Sequence, residues 1–352
     1  MPGPTWPNRF FMMAASSGGL DHSPSIAQIA EWMTIDGFAF EHGSLFDALS
    51  GAQRPWRIYH GDQGPLSGSF PIAGALKGIL PWDPHPYSAF AADIATASYP
   101  AQFTLIEPNY GDVASDTYRG GQSQHPLDDV RSGETLIKSA YEALRGSPLW
   151  DTSLLIVTWD EHGGFYDHQA AVPGGAPPPG DKTVTPGEVN KYGFNFGQYG
   201  PRVPAVIVSP RIPQNLIDHR TYDHASIPAT AGKLFGLPPL TGRDRRVRDV
   251  TSLLSLPQPR PTPAALPEPA APGATPVAAQ LAANAGDDKP ADNGNLPGFL
   301  HIAQRYDLAL SPPAQHPAII ARVAGITTRG AARQYLEEVA AKTAAARSAR
   351  GL

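Results

Sequence analysis

The run Asp160-Glu161-His162-Gly163-Gly164-Phe165-Tyr166-Asp167-His168 carries the densest set of reactive side chains in the chain. An apolar stretch, Ser153 to Trp159, leads directly into its two carboxylates. Ligands of open α/β sheets collect outside the carboxyl ends of strands, so such an end is where chemistry is expected. Adjacent carboxylates on an extended chain point to opposite sides. The glycines supply a break that would let Asp160 and Glu161 turn toward one divalent cation. His162 and His168 add imidazoles able to bind a metal or protonate a leaving oxygen. By spacing alone, a polar loop with ordinary surface charges explains the segment equally well.

A second candidate segment is Gly3-Pro4-Thr5-Trp6-Pro7-Asn8-Arg9. Thr5, stiffened by prolines, offers a hydroxyl that becomes a nucleophile once a base or metal activates it. Arg9 has the planar fork that clamps phosphate, and Asn8 would donate to the same oxygens. Read in isolation, a proline-rich amino end is a flexible tail. His125, before Pro126, sits where a helix should begin, next to the positive end of its dipole, which favours a nearby anion and a neutral ring. Tyr222-Asp223-His224-Ala225-Ser226 offers a further Asp-His pair, although Ser226 has a sufficient purpose as a helix cap.

These side chains need elements to hold them. Phe103 to Ile106, Ser153 to Trp159 and Val203 to Ser209 are continuous apolar runs, predicting strands covered on both faces, as in a parallel sheet. A helix from Pro126 to Arg145, with Val130, Leu136, Ile137, Ala140, Tyr141 and Leu144 as its stripe, completes a strand–helix–strand crossover. Ser44 to Leu49 reads as a helix before a strand at Trp56 to Tyr59. Ser226 opens another helix, which Gly236 ends. Residues 1–257 therefore read as an α/β body, 258–297 as a Pro/Ala-rich linker and 298–352 as a helical segment. In that segment Thr327 or Thr328 caps a helix carrying Ala331, Tyr335, Leu336 and Val339.

Composition narrows the classes further. With 352 residues, 41% of them hydrophobic, a sizeable core is available. The net charge of −5 and the single short basic run at Arg243 to Arg248 argue against a nucleic-acid partner. The absence of cysteine excludes disulfides and thiolate metal sites. No apolar run approaches a membrane span, so at most peripheral membrane contact is expected. No signal peptide is visible after Met1.

Taken together and in this order, several motifs resemble the phosphoesterase family. They are Thr5-x-Pro7-Asn8-Arg9, His125-Pro126 with Asp129, Ser147-Pro148-x-Trp150, the Asp160–His168 run, Arg202 to Pro210, and Asp223-His224 with Ile227. That family comprises phosphatidylcholine-type phospholipases C, plant non-specific phospholipases C and a group of acid phosphatases. The resemblance implies an alkaline-phosphatase-like α/β/α sandwich with a mostly parallel sheet and a helical C-terminal appendage. It implies hydrolysis of a phosphoester, a phospholipid above all, with small phosphomonoesters as the alternative substrate. Thr5 is similar to the family's nucleophile, and Asp160 and Glu161 to its ligands for one divalent metal ion. Asn8, Arg9 and Asp223 are the expected substrate-binding residues. His125, His162 and His224 are the expected catalytic histidines, one acting as general acid. Members also carry a strand ending in Glu-Asn upstream of the nucleophile that completes the metal site. This sequence has no counterpart, which leaves a truncated, non-catalytic remnant as a further alternative. Relatives are often exported.

Overall fold

The computed structural model of the chain describes all residues except 32–36, 173, 186, 272–285 and 293. Strands β1 (Trp56–His60), β2 (Pro84–Pro86) and β3 (Phe103–Glu107) form a parallel sheet in the order β2-β1-β3. Ile58 of β1 stands in register with Leu105 of β3 and Pro84 of β2. Successive side chains of a strand point to opposite faces, and both faces of this sheet are covered. Ile58, Phe103 and Leu105 join a core with helix α1 (Thr5–Ala14), while Phe46 of α3 (Leu45–Gly51) packs on Trp56 and Phe103. Tyr59 and Ile106 face the other way, toward α4 (Phe90–Asp93) and α5 (Arg131–Gly146). This is an α/β fold with its parallel sheet between helices.

Local sequence explains the element ends. Ser44 and Asp47 form a reciprocal capping box on α3, with Ser44 N–H donating to Asp47 Oδ2 at 2.7 Å. Gly236, at φ 69°, closes α6 (Ser226–Phe235) in the left-handed conformation that glycine adopts freely. The helix expected from Pro126 begins only at Arg131. Residues 126–130 form a turn in which Asp129 Oδ1 accepts from Arg131 N at 3.0 Å, and Val130 is exposed rather than buried.

One isolated reading gives way here, and one expectation is corrected. The amino end is not a flexible tail: Thr5 to Ala14 is helical and buried on several sides, with Trp6, Phe10 and Met13 in one cluster and Phe11 in another. The run Val203 to Ser209 yields β5 (Ala205–Val208), which pairs antiparallel with β4 (Leu155–Thr158) in a separate two-stranded sheet. β5 returns from the site end of β4, so it must run in the opposite direction, and its Ala205 and Val206 stay exposed. Among the described residues β3 and β4, flanking the α5 crossover, are not hydrogen-bonded to each other.

The C-terminal helices are α7 (Leu296–Ala309), α8 (His316–Ala324) and α9 (Arg329–Ala349); α2 (Ile26–Glu31) contacts α7. Thr328 caps α9 as expected, but the buried stripe runs Ala332, Tyr335, Leu336, Val339, with Ala331 exposed. α7 lies directly on α1. A Cβ placed on Gly298 would come within 1.9 Å of the Trp6 ring, so only glycine lets the two helices approach this closely. Of the stretch read as a linker, 272–285 lies outside the described residues. The part before it runs along α5, where Tyr141 donates to the Pro263 carbonyl at 2.6 Å. No helix among the described residues is long and apolar enough to cross a membrane.

Candidate active site

A cavity of about 590 Å³ lies where the amino end of α1 meets the carboxyl end of β4. Thr5 and Arg9 come to it from α1, Asp160 and Glu161 from just beyond β4, and His125 from the turn before α5. Thr5 is the first residue of α1, so a phosphate beside its hydroxyl would also meet the free N–H groups and positive dipole of that helix. The two segments are fastened together. Asn8 Nδ2 donates to the Asp160 carbonyl at 2.7 Å and to the Gly3 carbonyl at 2.7 Å. Arg9 Nε donates to Asp160 Oδ2 at 3.3 Å, and its Nη1 to Glu107 Oε2 at 3.2 Å. The guanidinium stacks over Tyr110 at 5.1 Å. Burial opposes its charge, but Tyr110, Asp160 and Glu107 outweigh that and raise its pKa above the ordinary value.

The histidines separate into three environments. His125 stacks on Tyr118 with ring centroids 3.5 Å apart. Its Nδ1 accepts from Leu127 N at 3.3 Å, which leaves the proton of the neutral ring on Nε2. Burial lowers its pKa to about 4, with the Asp160 charge offsetting part of that shift. His162 also lines the cavity; its Nδ1 donates to the Phe165 carbonyl at 3.3 Å, so Nε2 is the nitrogen left for chemistry. His224 is not in the cavity wall. It lies buried behind it, its Nε2 donating to the Trp159 carbonyl at 3.2 Å and its Nδ1 3.2 Å from the Met1 amino group. Burial and that amino charge drive its pKa well below the ordinary range. Asp223 is likewise withdrawn, paired at 2.8 Å with the fully buried Arg243. Asn8 braces the site from outside the wall.

Asp160 and Glu161 share the cavity, but each already has a partner. Gly163 and Gly164 adopt φ of 66° and 75°, the expected bend, and Glu161 Oε2 accepts from Gly163 N at 2.7 Å. Among the described residues no group of three or more His, Asp or Glu side chains converges as a metal site would require. Two carboxylates and a hydroxyl, one of the carboxylates facing a guanidinium, do not complete a cation site by themselves. Past the glycines, Phe165 and Tyr166 stand exposed at the cavity edge, and Arg202 holds Asp167 through two 2.8 Å bonds.

Several wall residues carry no motif of their own. Tyr110, Tyr118 and Trp159 line the cavity, and α7 adds Phe299, with Asn295 donating to the Tyr118 hydroxyl at 3.0 Å. Glu107 stands behind Arg9. It ends an apolar strand just as Asp160 does, the one signal that could have drawn attention to it; Asn295 and Phe299 gave none.

The Phosphoesterase family profile matches residues 1–238. The chain belongs to the phosphoesterase family. Non-specific phospholipase C6 of Arabidopsis thaliana is 36% identical over 273 residues, covering 73% of this chain and 49% of its own length. Non-specific phospholipase C5 from the same plant is 32% identical over 270 residues, covering 74% and 48%. Phospholipase C B of Mycobacterium tuberculosis (strain ATCC 25618 / H37Rv) is 29% identical over 273 residues, covering 73% and 51%. This phosphoesterase therefore spans about half the length of the relatives it matches.

Proposed function

We propose that the cavity hydrolyses phosphoester bonds, with glycerophospholipids as the substrate class and a phosphothreonine intermediate carrying the head group. The observation supporting this is that Thr5, Arg9, His125, Asp160, Glu161 and His162 line one cavity although they come from distant parts of the chain. Phospholipase C names among the relatives point to the lipid substrate.

In this reading the α1 amino end and Arg9 bind the phosphate oxygens, supplying positive charge where the transition state accumulates negative charge. Thr5 Oγ1 attacks phosphorus in line, its proton passing to a carboxylate of the Asp160–Glu161 pair. The bond from phosphorus to the diacylglycerol oxygen breaks, and that oxygen takes the Nε2 proton of the His162 imidazolium, leaving a neutral ring whose Nδ1 proton stays hydrogen-bonded to the Phe165 carbonyl. Water then cleaves the phosphothreonine and releases the phosphorylated head group. His125, neutral with its proton on Nε2, donates to a phosphoryl oxygen. His224 and Asp223 keep a supporting place behind the wall. Asp160 and Glu161 are the residues of this cavity that would face a divalent ion. Such an ion, when bound, supplies Lewis-acid charge neutralisation.

The test is hydrolysis of p-nitrophenyl phosphorylcholine by the full chain and by Thr5→Ala. The expected result is loss of activity in Thr5→Ala and partial retention in Thr5→Ser. Wild-type turnover by Thr5→Ala removes the nucleophile assignment. Faster hydrolysis of p-nitrophenyl phosphate than of the diester moves the substrate to small phosphomonoesters.

A further inference from the structure

We propose that Glu107 is the positioning residue that fixes Arg9 as the phosphate-binding cation of this site. The inference rests on the phosphoester reading above and adds a residue to which no role has yet been given.

The Glu107 side chain is only 1% exposed. Its carboxylate is anchored by main chain: Oε1 accepts from Ala73 N at 2.9 Å and Oε2 from Ile72 N at 2.9 Å. The Tyr110 hydroxyl donates to Oε2 as well. A buried carboxylate held by two amides and a phenol cannot turn away, so the guanidinium bonded to it inherits a fixed place. Asp160 is the looser of Arg9's two acidic partners, being 17% exposed and bonded at 3.3 Å. Glu107 can thus hold Arg9 alone whenever Asp160 turns to another ligand.

The guanidinium has five N–H groups in a rigid plane. Glu107 engages one on Nη1, and Asp160 engages the one on Nε. The rest of the fork, Nη2 and the second Nη1 proton, has no other partner among the described residues, and Arg9 lines the cavity. A flexible surface arginine would lose rotamer freedom on gripping phosphate. One already clamped from behind by Glu107, with Tyr110 beneath its face, presents its free edge preorganised.

The probe is inorganic phosphate, titrated calorimetrically into the full chain, with p-nitrophenyl phosphorylcholine kinetics alongside. Glu107→Gln keeps the shape and removes the charge; the expected result is about a ten- to hundredfold loss of phosphate affinity. In an Arg9→Met background the same substitution should cause no further loss, because Glu107 acts through Arg9. Tyr110→Phe, which deletes only the hydroxyl, should weaken phosphate binding in the same sense, and decides the matter if Glu107→Gln does not fold. Additive losses in the Arg9→Met background would show that Glu107 serves folding alone, and overturn the proposal. Wild-type affinity in both Glu107→Gln and Tyr110→Phe overturns it too. If the wild-type chain itself binds no phosphate and turns over no ester, the functional reading fails and takes this role with it; the preceding outcomes leave that reading intact.

Discussion

Arg9 Nε lies 3.3 Å from Asp160 Oδ2, although 151 positions separate the two residues. One contact therefore joins the helix that begins with Thr5 to the acidic end of β4. It also places a protein cation against a carboxylate expected to hold a metal ion.

Those two cations must compete. Calorimetric titration of the full chain with Mn²⁺ or Ca²⁺ should give binding weaker than about 10⁻⁴ M, in keeping with few protein ligands. Arg9→Gln removes the competing charge and should tighten binding several-fold. Tight binding by the wild-type chain, unchanged in Arg9→Gln, would mean that Asp160 is not a ligand.

His125 makes stability depend on pH. Its pKa is lowered by burial from 6.5 to about 4. Between those values the unfolded chain binds a proton that the folded chain excludes, so stability rises with pH across the window. The contribution is complete above pH 6.5 and is lost as pH falls toward 4. The shift corresponds to about 3 kcal/mol before discounting for the partial exposure of the ring. Urea unfolding of wild type and His125→Gln at pH 7.5 and 4.5 measures it: acidification should cost the wild type more. Equal losses in the two proteins would place the ring in a far wetter setting than the stack on Tyr118.

Gly298→Ala tests whether the C-terminal helices support the site. The new methyl carbon would lie 1.9 Å from Trp6, forcing α7 and α1 apart. The expected destabilisation is about 1–3 kcal/mol, typical of overpacking, read from the urea midpoint. Phosphoester turnover should fall with it, because α1 carries Thr5 and Arg9. Full activity at normal stability would show that α7 can shift without disturbing α1.

The sequence alone was enough to mark the candidate segments, several of which meet at one cavity, and most of the elements flanking them. Capping residues, terminating glycines and apolar runs are local signals, and Ser44, Gly236, Thr328 and the ends of β3 and β4 behave as local rules require. The motif run from Thr5 to Ile227 also sufficed for the family. Only tertiary structure decided which of the marked residues meet. Nothing in the spacing of His224 or Asp223 tells that both lie behind the wall, or that His162 lies in it, because burial is set by partners far along the chain. The proline-rich amino end is a packed helix because distant parts of the chain cover it: α6 and α3 on one side, and Gly298 and Phe299 of α7, nearly three hundred residues away, against Trp6. β5 reads like a covered parallel strand, yet its direction follows from the route of the loop that returns it beside β4. Hydrophobic pattern records that a residue is to be buried; it does not record against what.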